Sequence, residues 1–280
     1  MIQASLLEDR AVLALNGAEA GDFLQGLITN DMAACANGRA IYAALLTPQG
    51  KILFDFFIVP QASDQLLIDC AAAHAADLLK RLSLYRLRAK VEIVSRPELA
   101  VAALWGEEAP AQIPHGIASV ADPRHPALGF RGIAARDVLA RGLSGFPRGD
   151  YHAHRLALGI PDSADLIPDH VFALDAGLEE LNGVSFKKGC YIGQEVTARM
   201  KHRASARRRF LIAQVEGTIP PSGTPVESGA REIGVLATGM GSHALALVRL
   251  DRHTEAQESH SPIAAAGQPI VLKMPGWLRG

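Results

Sequence analysis

The sequence predicts an α+β fold followed by a small β-barrel. Up to about residue 200, strand-like apolar runs and hairpin turns mix with helical spacings, which is typical of antiparallel sheets in a split βαβ arrangement. From about residue 210, short strands alternate with Gly- and Pro-containing turns, as in a small barrel or sandwich. A length of 280 residues suits two domains. We therefore expect regions 1–204 and 205–280.

The first hundred residues predict most of the α+β region. Strands are expected at 10–15, 41–46, 52–59, 66–70, 91–94 and 99–104, and a helix at 72–85. A further helix follows Asn16, which has the capping-box spacing to Glu19 and runs to about Asn30. A hairpin turn is predicted at Thr47-Pro48-Gln49-Gly50.

The remaining residues predict a connection, one helix and the barrel strands. Four prolines mark residues 110–126 as a long connection, and a helix at 151–158 is closed by Gly159-Ile160-Pro161. Barrel strands are expected at 210–215, 233–238, 244–250 and 269–273. The polar segment 252–262 is expected to be a mobile loop.

Composition and charge exclude several classes of protein. The 49% share of hydrophobic residues argues against disorder, and no apolar run approaches the roughly 18 residues that span a bilayer. The first residues lack the basic start of a secretory signal. We expect a soluble monomer without membrane contact, in the cytoplasm of a bacterium or in the mitochondrial matrix of a eukaryote.

Positive charge is concentrated in one segment. Residues 187–209 hold eight Lys or Arg and one acid, Glu195, so this segment has a charge of +7 and the rest has −8. Such a segment attracts phosphate or carboxylate groups within a Debye length of about 8 Å. The arginines at 207–209 fit a solvated strand entry or an RNA contact, but no interleaved aromatic residues support base stacking.

Three cysteines, Cys35, Cys70 and Cys190, are too few and too widely spaced for a disulfide framework or a zinc site. An iron–sulfur cluster would need ligands from outside the chain. Cys190 follows Lys187 and Lys188, whose charges favour a reactive thiolate. The alternative is that Cys190 is a small buried residue.

Polar groups next to this cysteine suit a heterocyclic ligand. Gln194 and Glu195 place donors and acceptors side by side, and a carboxylate grips an amino group beside a ring N–H with two bonds. The glycines of the same segment let backbone N–H groups approach a ligand closely. The segment Thr29-Asn30-Asp31 also fits a simple helix end.

Several motifs together resemble the YgfZ family of folate-binding proteins, relatives of the T-protein of the glycine cleavage system. The most specific match is Lys188-Gly189-Cys190-Tyr191-Ile192-Gly193-Gln194-Glu195. Earlier matches, in the expected order, are Phe23-Leu24-Gln25-Gly26 with Thr29-Asn30-Asp31, Pro48-Gln49-Gly50-Lys51 with Asp55-Phe56, Leu84-Tyr85-Arg86-Leu87-Arg88, and Arg155-Leu156 with Gly159-Ile160-Pro161. The form around Cys190 looks most similar to the branch that includes the mitochondrial iron–sulfur assembly factor.

The resemblance implies a fold and a function. The fold is the aminomethyltransferase folate-binding fold: two intertwined, ferredoxin-like α+β units and a C-terminal β-barrel, arranged as a ring around a central cavity. The implied cofactor is tetrahydrofolate or a one-carbon derivative. The implied role is assembly or repair of 4Fe–4S clusters in client enzymes, including enzymes that modify tRNA. Iron–sulfur client or scaffold proteins are the expected partners, with weak tRNA contact.

The resemblance also implies site residues. Glu195 is expected to grip the pterin ring and Arg199 to face the folate glutamate, while Cys190 is the thiol expected to carry the chemistry. The expected folate-binding set is completed by Gln194, Tyr191, Lys188, Asn30 and Asp31. No metal site is expected.

Two departures argue against simple glycine-cleavage activity. Aminomethyltransferases have an Asn-Ala-x-Asn-like stretch where this chain has Cys70-Ala71-Ala72-Ala73, and T-proteins lack a cysteine at the position of Cys190. Two alternatives stay open beside the assembly role, and whether the protein is an enzyme stays open with them. One is a tetrahydrofolate-dependent one-carbon transferase, and the other is a tRNA-binding accessory protein that uses Lys201 to Arg209.

Overall fold

A computed structural model of the chain describes residues 1–35, 38–62, 64–107, 109, 113, 117, 119–203 and 207–278. The strands are β1 (Gln3–Leu6), β2 (Arg10–Asn16), β3 (Ile41–Leu46), β4 (Ile52–Ala62), β5 (Gln65–Ala71), β6 (Glu92–Ser95), β7 (Leu99–Trp105), β8 (Ser119–Ala121), β9 (Phe130–Ala135), β10 (Arg208–Val215), β11 (Pro225–Ser228), β12 (Arg231–Met240), β13 (His243–Arg249), β14 (Ile263–Ala265) and β15 (Gln268–Lys273). The α-helices are α1 (Ala20–Gln25), α2 (Ala75–Arg86), α3 (Arg136–Leu143), α4 (Tyr151–Ala157), α5 (Gln194–His202) and α6 (Leu250–Glu258). Short 3₁₀ turns lie at Met32–Cys35, Ala72–His74, Pro126–Leu128 and Gly276–Leu278.

The strands form two open sheets and one barrel. One sheet has the order β3-β4-β5-β2-β6, the other has the order β1-β7-β9-β8, and β10-β13-β12-β11-β14-β15 closes into a barrel. Neighbouring strands run antiparallel throughout these sheets. The antiparallel α+β architecture with a C-terminal barrel, predicted from the sequence, is therefore confirmed.

Alternating apolar residues explain how these layers pack. In β2, Leu13 and Leu15 point towards α1 and α2, while Val12 and Ala14 point towards the second sheet and contact the cluster that contains Trp105. Successive strand residues face opposite sides of a sheet, so one strand serves two cores. The barrel has its own apolar interior, which includes Leu211, Val226, Leu236 and Val248.

Two local predictions were wrong. Asn16 does not cap a helix, because it lies within β2 and its amide donates to Glu92. Glu19 directly precedes α1 but makes no side-chain cap, and its carboxylate accepts from the backbone N–H of Lys90. The polar segment 252–262 is not a loop throughout, because α6 runs to Glu258. Its His253 and Ala256 are buried, so a narrow stripe holds an otherwise polar helix in place.

The connection between β7 and β9 contains β8 and a 3₁₀ turn, although Pro110 and Pro114 lie outside the described residues. The predicted boundary between 204 and 205 also lies outside them, so the domain limits stay a prediction. Helix α5 ends at His202, and the first barrel strand begins at Arg208. None of the described helices is both long and apolar enough to cross a membrane.

Candidate functional site

Segment 182–188, which precedes Cys190, lies along the end of α1. The Thr29 hydroxyl donates to the Gly183 carbonyl at 2.6 Å, and the Ser185 N–H donates to the Thr29 carbonyl at 3.0 Å. The Asn30 amide donates to the Asn182 carbonyl at 2.7 Å. Two motifs about 155 residues apart in sequence therefore form one structural unit.

Lys188 anchors this unit from inside. Its ammonium Nζ donates to the carbonyls of Gln25, Ile28 and Asn30, each at 2.7 Å, which uses all three of its N–H donors. The residue is buried, and burial lowers the pKa of Lys188 to about 8. The geometry gives Lys188 a structural task, which is to hold the cysteine loop on the end of α1.

Two glycines hold the other end of the loop. Gly193 and Gly50 both have positive φ angles, +81° and +80°, and lie against each other. A Cβ on Gly193 would lie 2.5 Å from the Thr47 carbonyl oxygen and 3.2 Å from the Gly50 Cα. Glycine is required here because the β3–β4 turn and the start of α5 approach so closely.

Cys190 lies on the outside of this loop. Lys188 and Tyr191 are buried on either side of it, and Cys190 itself is exposed, so it is not the small buried residue of the alternative interpretation. Helix α5 begins four residues later, at Gln194. Burial raises the pKa of Cys35 to about 11 and that of Cys70 to about 12. Cys190 is therefore the one accessible thiol of the three cysteines.

A cleft of about 1090 Å³ opens beside the loop. It is lined by Asn30, Ala34, Arg39, Ala40, Ile41, Pro123, Glu179, Asn182, Val184, Ser185, Phe186, Lys187, Gln194, Ala198, Lys201 and His202. Of the predicted folate-binding residues, Asn30 and Gln194 are in this lining. The lining has more cationic residues than carboxylates. Its single carboxylate, that of Glu179, pairs with Lys201 at 2.5 Å.

The other predicted site residues lie elsewhere. Glu195 and Arg199 pair with each other at 2.6 Å on the exposed side of α5, where the Glu195 side chain is 83% exposed. The Asp31 carboxylate accepts from the Gln25 amide and the Ala33 N–H, so it closes the turn after α1. Tyr191 is buried, and burial raises its pKa to about 12. Their predicted roles towards folate stay predictions.

The basic segment is partly neutralised. Arg209 contacts Glu180 at 3.5 Å, as Lys201 contacts Glu179. Residues 204–206 lie outside the described part of the chain. The proposed tRNA surface from Lys201 to Arg209 therefore carries less free charge than its sequence indicates.

The sequence analysis missed a buried network of charges. Its members are Arg10, Arg124, Arg131 and Arg155 with Asp55, Asp69, Asp122, Asp162 and Asp165. The Asp69 carboxylate forms ion pairs with Arg10 and Arg131, each at 2.6 Å, and Arg124 pairs with Asp122 at 2.9 Å. One signal was present, because Asp55 and Asp69 interrupt the apolar strands β4 and β5.

The Phe57 ring lies at the centre of this network. The guanidinium carbons of Arg131, Arg124 and Arg10 are 4.0, 4.8 and 5.5 Å from its centroid. Burial opposes the charged form of Asp162, but the surrounding arginines hold the pKa of that carboxyl well below its usual range. Burial and the nearby Asp162 raise the pKa of Asp55, which accepts from the Tyr42 hydroxyl at 3.0 Å. The network is shielded from solvent, so we assign it to stability rather than to a reaction.

The lining of the cleft fits a folate. Its volume of about 1090 Å³ slightly exceeds the usual range for small-molecule sites, about 300–1,000 Å³, so a folate has room. Gln194 offers an amide, Phe186 a half-exposed ring, and Lys187 with Arg39 two cations for a carboxylate tail. The amide of Gln194 makes no side-chain hydrogen bond within the described residues, so it is available to a heterocycle.

Comparisons with known proteins agree with the geometry. The family model for the GCVT N-terminal domain matches residues 9–138, and that for the CAF17 C-terminal β-barrel domain matches residues 207–280. The crystal structure of the glycine cleavage system aminomethyltransferase T from Bartonella henselae superposes with a TM-score of 0.77 at 17% identity. It covers 99% of this chain and 86% of its own. The aminomethyltransferase-type fold is therefore confirmed.

Curated relatives share more sequence. The chain is 34% identical over 274 residues to the mitochondrial iron–sulfur cluster assembly factor IBA57 of Mus musculus, covering 87% of this chain and 76% of the relative. It is 33% identical over 297 residues to the protein of the same name from Homo sapiens, covering 94% and 83%.

Proposed function

The chain belongs to the family of the iron–sulfur cluster assembly factor IBA57, and on this premise we propose that it supports cluster assembly by providing the Cys190 thiolate as a cluster ligand. The observation that carries the proposal is the exposure of Cys190 on a loop whose two ends are fixed by Lys188 and Gly193. The clients we propose are enzymes with 4Fe–4S clusters, tRNA-modifying enzymes among them.

The cluster is cargo, and a partner completes its ligands. Among the described residues, no group of three or more His, Cys, Asp or Glu side chains is placed to hold a metal ion. Iron–sulfur clusters are generally held by four ligands, mostly cysteine thiolates. A single thiol from this chain therefore supports a shared cluster, with the other ligands supplied by an iron–sulfur client or scaffold protein.

Tetrahydrofolate is the second part of the proposal, and the cleft beside the loop is its site. The Cα of Cys190 lies within about 15 Å of the Gln194 Cα, because the two residues are four positions apart. In this proposal the Gln194 amide orients the pterin, and Lys187 and Arg39 hold the glutamate carboxylates. Tetrahydrofolate, when bound, would supply a reduced pterin or a one-carbon unit.

Anaerobic reconstitution tests the thiol. Reduced protein is loaded with ferric iron, sulfide and excess glutathione, which is both the external thiol ligand and the reductant for part of the iron, and the charge-transfer absorption is measured. We expect Cys190→Ser to lose the absorption, whereas Cys70→Ala, which alters a buried thiol, keeps it. In cells that lack their own relative, Cys190→Ser is expected not to restore a 4Fe–4S client enzyme. Full restoration by this variant would remove the thiol from the mechanism.

Calorimetric titration with tetrahydrofolate under anaerobic conditions tests the cleft. Loss of the Gln194 amide in Gln194→Leu is expected to weaken binding by roughly tenfold. The matched variant Glu195→Gln changes an exposed carboxylate outside the cleft lining and is expected to leave binding unchanged. Weakening by Glu195→Gln alone would favour the role predicted from the family resemblance. No binding at millimolar ligand would remove folate and leave the thiol proposal standing.

A further inference from the structure

The surface next to Cys190 carries unpaired positive charge. We define the basic rim as Arg39, Lys187 and Arg203, which are exposed and have no carboxylate partner among the described residues. Arg39 and Lys187 line the cleft, and Arg203 directly follows His202, which also lines it. The chain as a whole has a net charge of −1, so this local charge is not a general property of its surface.

Nearby acids do not cancel the basic rim. Glu179 is 2.5 Å from Lys201, and Glu195 is 2.6 Å from Arg199. Each of these carboxylates therefore has its own cation. Asp31, next to Asn30 of the lining, accepts among the described residues only from the Gln25 amide and the Ala33 N–H and offsets at most one of the three positive charges. While no folate tail occupies Arg39 and Lys187, the excess positive charge beside the cleft attracts an anionic partner and raises its association rate.

An occupant of the basic rim reaches the thiol. Lys187 precedes Cys190 by three residues, so their Cα atoms lie within about 11 Å of each other. Phe186, which is 37% exposed and next to Lys187, adds an apolar contact on the same face. Charge, an apolar anchor and the thiol thus lie within the span of a short peptide.

Resting on the proposed function, we propose that the basic rim docks an acidic segment of the protein that brings the remaining cluster thiolates. A protein fits better than a nucleic acid because Phe186 is the one Phe, Tyr or Trp side chain among the described residues that line the cleft. Single-stranded nucleic acids bind through several stacked bases, each on its own aromatic platform. An acidic peptide requires only the cations and one apolar contact.

Thiol–disulfide exchange with activated peptides tests the docking. The probes are twelve-residue peptides that end in a cysteine joined by a disulfide to 2-nitro-5-thiobenzoate. The Cys190 thiolate attacks the peptide sulfur, forms the protein–peptide disulfide and expels the coloured aryl thiolate, which is measured by its absorbance. One peptide is rich in Asp and Glu, and its matched control has Asn and Gln instead. The ratio of the two rates cancels any change in the thiolate fraction of Cys190.

We expect the acidic peptide to react roughly tenfold faster than the neutral one at low salt. The ratio is expected to approach one at about 0.5 M salt, where the Debye length is only a few ångströms. The double variant Arg39→Glu, Lys187→Glu is expected to bring the ratio to one or below. The double variant Lys80→Glu, Lys273→Glu changes exposed lysines on α2 and β15 and is expected to keep it. Variants Arg39→Gln and Lys187→Gln remove charge without reversing it. Their rate ratios should lie between that of the unmodified protein and that of the double variant Arg39→Glu, Lys187→Glu.

Three results would overturn the proposal. A ratio near one in the unmodified protein, or an undiminished ratio in the Arg39→Glu, Lys187→Glu variant, excludes docking of an acidic segment on the basic rim. A faster reaction with a single-stranded RNA of equal charge, activated in the same way, assigns the basic rim to nucleic acid. Cluster loading with glutathione, measured on the same variants, shows separately whether the proposed function of Cys190 holds.

Discussion

Around Phe57, the two-sheet part of the molecule buries four arginines and five aspartates, whereas the barrel fills its interior with aliphatic side chains. A buried ion loses its hydration, and only a partner at the correct distance and angle offsets that loss. An apolar interior requires matching volume but no particular orientation of dipoles. The two regions therefore respond differently to mutation and to acid, although both are well buried.

The largest expected effect comes from the buried network. Asp162→Asn removes one charge among Arg10, Arg124 and Arg155, whose side chains lie 3.2 to 4.0 Å from the carboxylate. We expect the free energy of unfolding at pH 7 to fall by about 3–5 kcal/mol, measured by urea denaturation.

Acid distinguishes this effect from a loss of packing. The arginines lower the pKa of Asp162, so its stabilising contribution is present above the pKa of the unfolded chain, about 4, and is lost as pH falls further. The difference between the unmodified protein and Asp162→Asn should therefore shrink from about pH 5 downwards. A difference that is constant over this range would contradict the depressed pKa.

The barrel provides the matched comparison. Leu211→Ala deletes a fully buried side chain from its apolar interior and is expected to cost about 3 kcal/mol. Because no ionisable group is changed, this cost should be the same at pH 7 and at pH 4. A pH-dependent cost, measured by the same denaturation curves, would couple the barrel to the charge network.

The loss of stability expected from changing Lys188 lies between those of the buried residues above and those of the surface, because Lys188 is a single buried charge bound by neutral carbonyls. Lys188→Met keeps most of the volume but leaves three backbone carbonyls without their donor, at an expected cost of about 2 kcal/mol. The pKa of about 8 is below the 10.5 of a free lysine, so the unfolded chain binds the proton more tightly. Stability relative to Lys188→Met should therefore rise between pH 8 and 10.5, and a fall would refute the lowered pKa.

The smallest effect is expected on the surface. Glu195→Gln breaks an exposed pair with Arg199 within one helix, and such pairs contribute less than about 0.5 kcal/mol. Thermal unfolding of this variant should match that of the unmodified protein. A loss above about 1 kcal/mol would mean that Glu195 has a partner other than Arg199.

The sequence correctly predicted the elements whose apolar residues follow the pattern of a single type of secondary structure. β2 to β7 and four barrel strands were predicted within a few residues, because their residues alternate or run continuously apolar. Helix α6 was missed because two buried residues, His253 and Ala256, suffice to hold it. The contact of Gly50 with Gly193 was also out of reach, since the spacing of motifs along a chain carries no information on their distance in space.

For the candidate site, the sequence indicated a segment that borders the cleft but not the direction of each side chain. Lys188 and Cys190 are two residues apart, and one is buried while the other is exposed. Burial of Lys188 depends on three carbonyls at the end of α1, which no local pattern reveals. The charge network was missed for a similar reason, because Arg124 and Asp69 meet only after the two sheets pack.

The anchor of Lys188 also determines when the thiol becomes positioned during folding. Its ammonium joins residues separated by 163 positions, from Gln25 to Lys188, so the two ends of the α+β region must meet first. Contacts this distant in sequence form late, because the entropy of closing the intervening chain opposes them. A nascent or partly folded chain therefore has no ordered loop around Cys190, and only the completed fold presents the thiol in a fixed position beside the cleft.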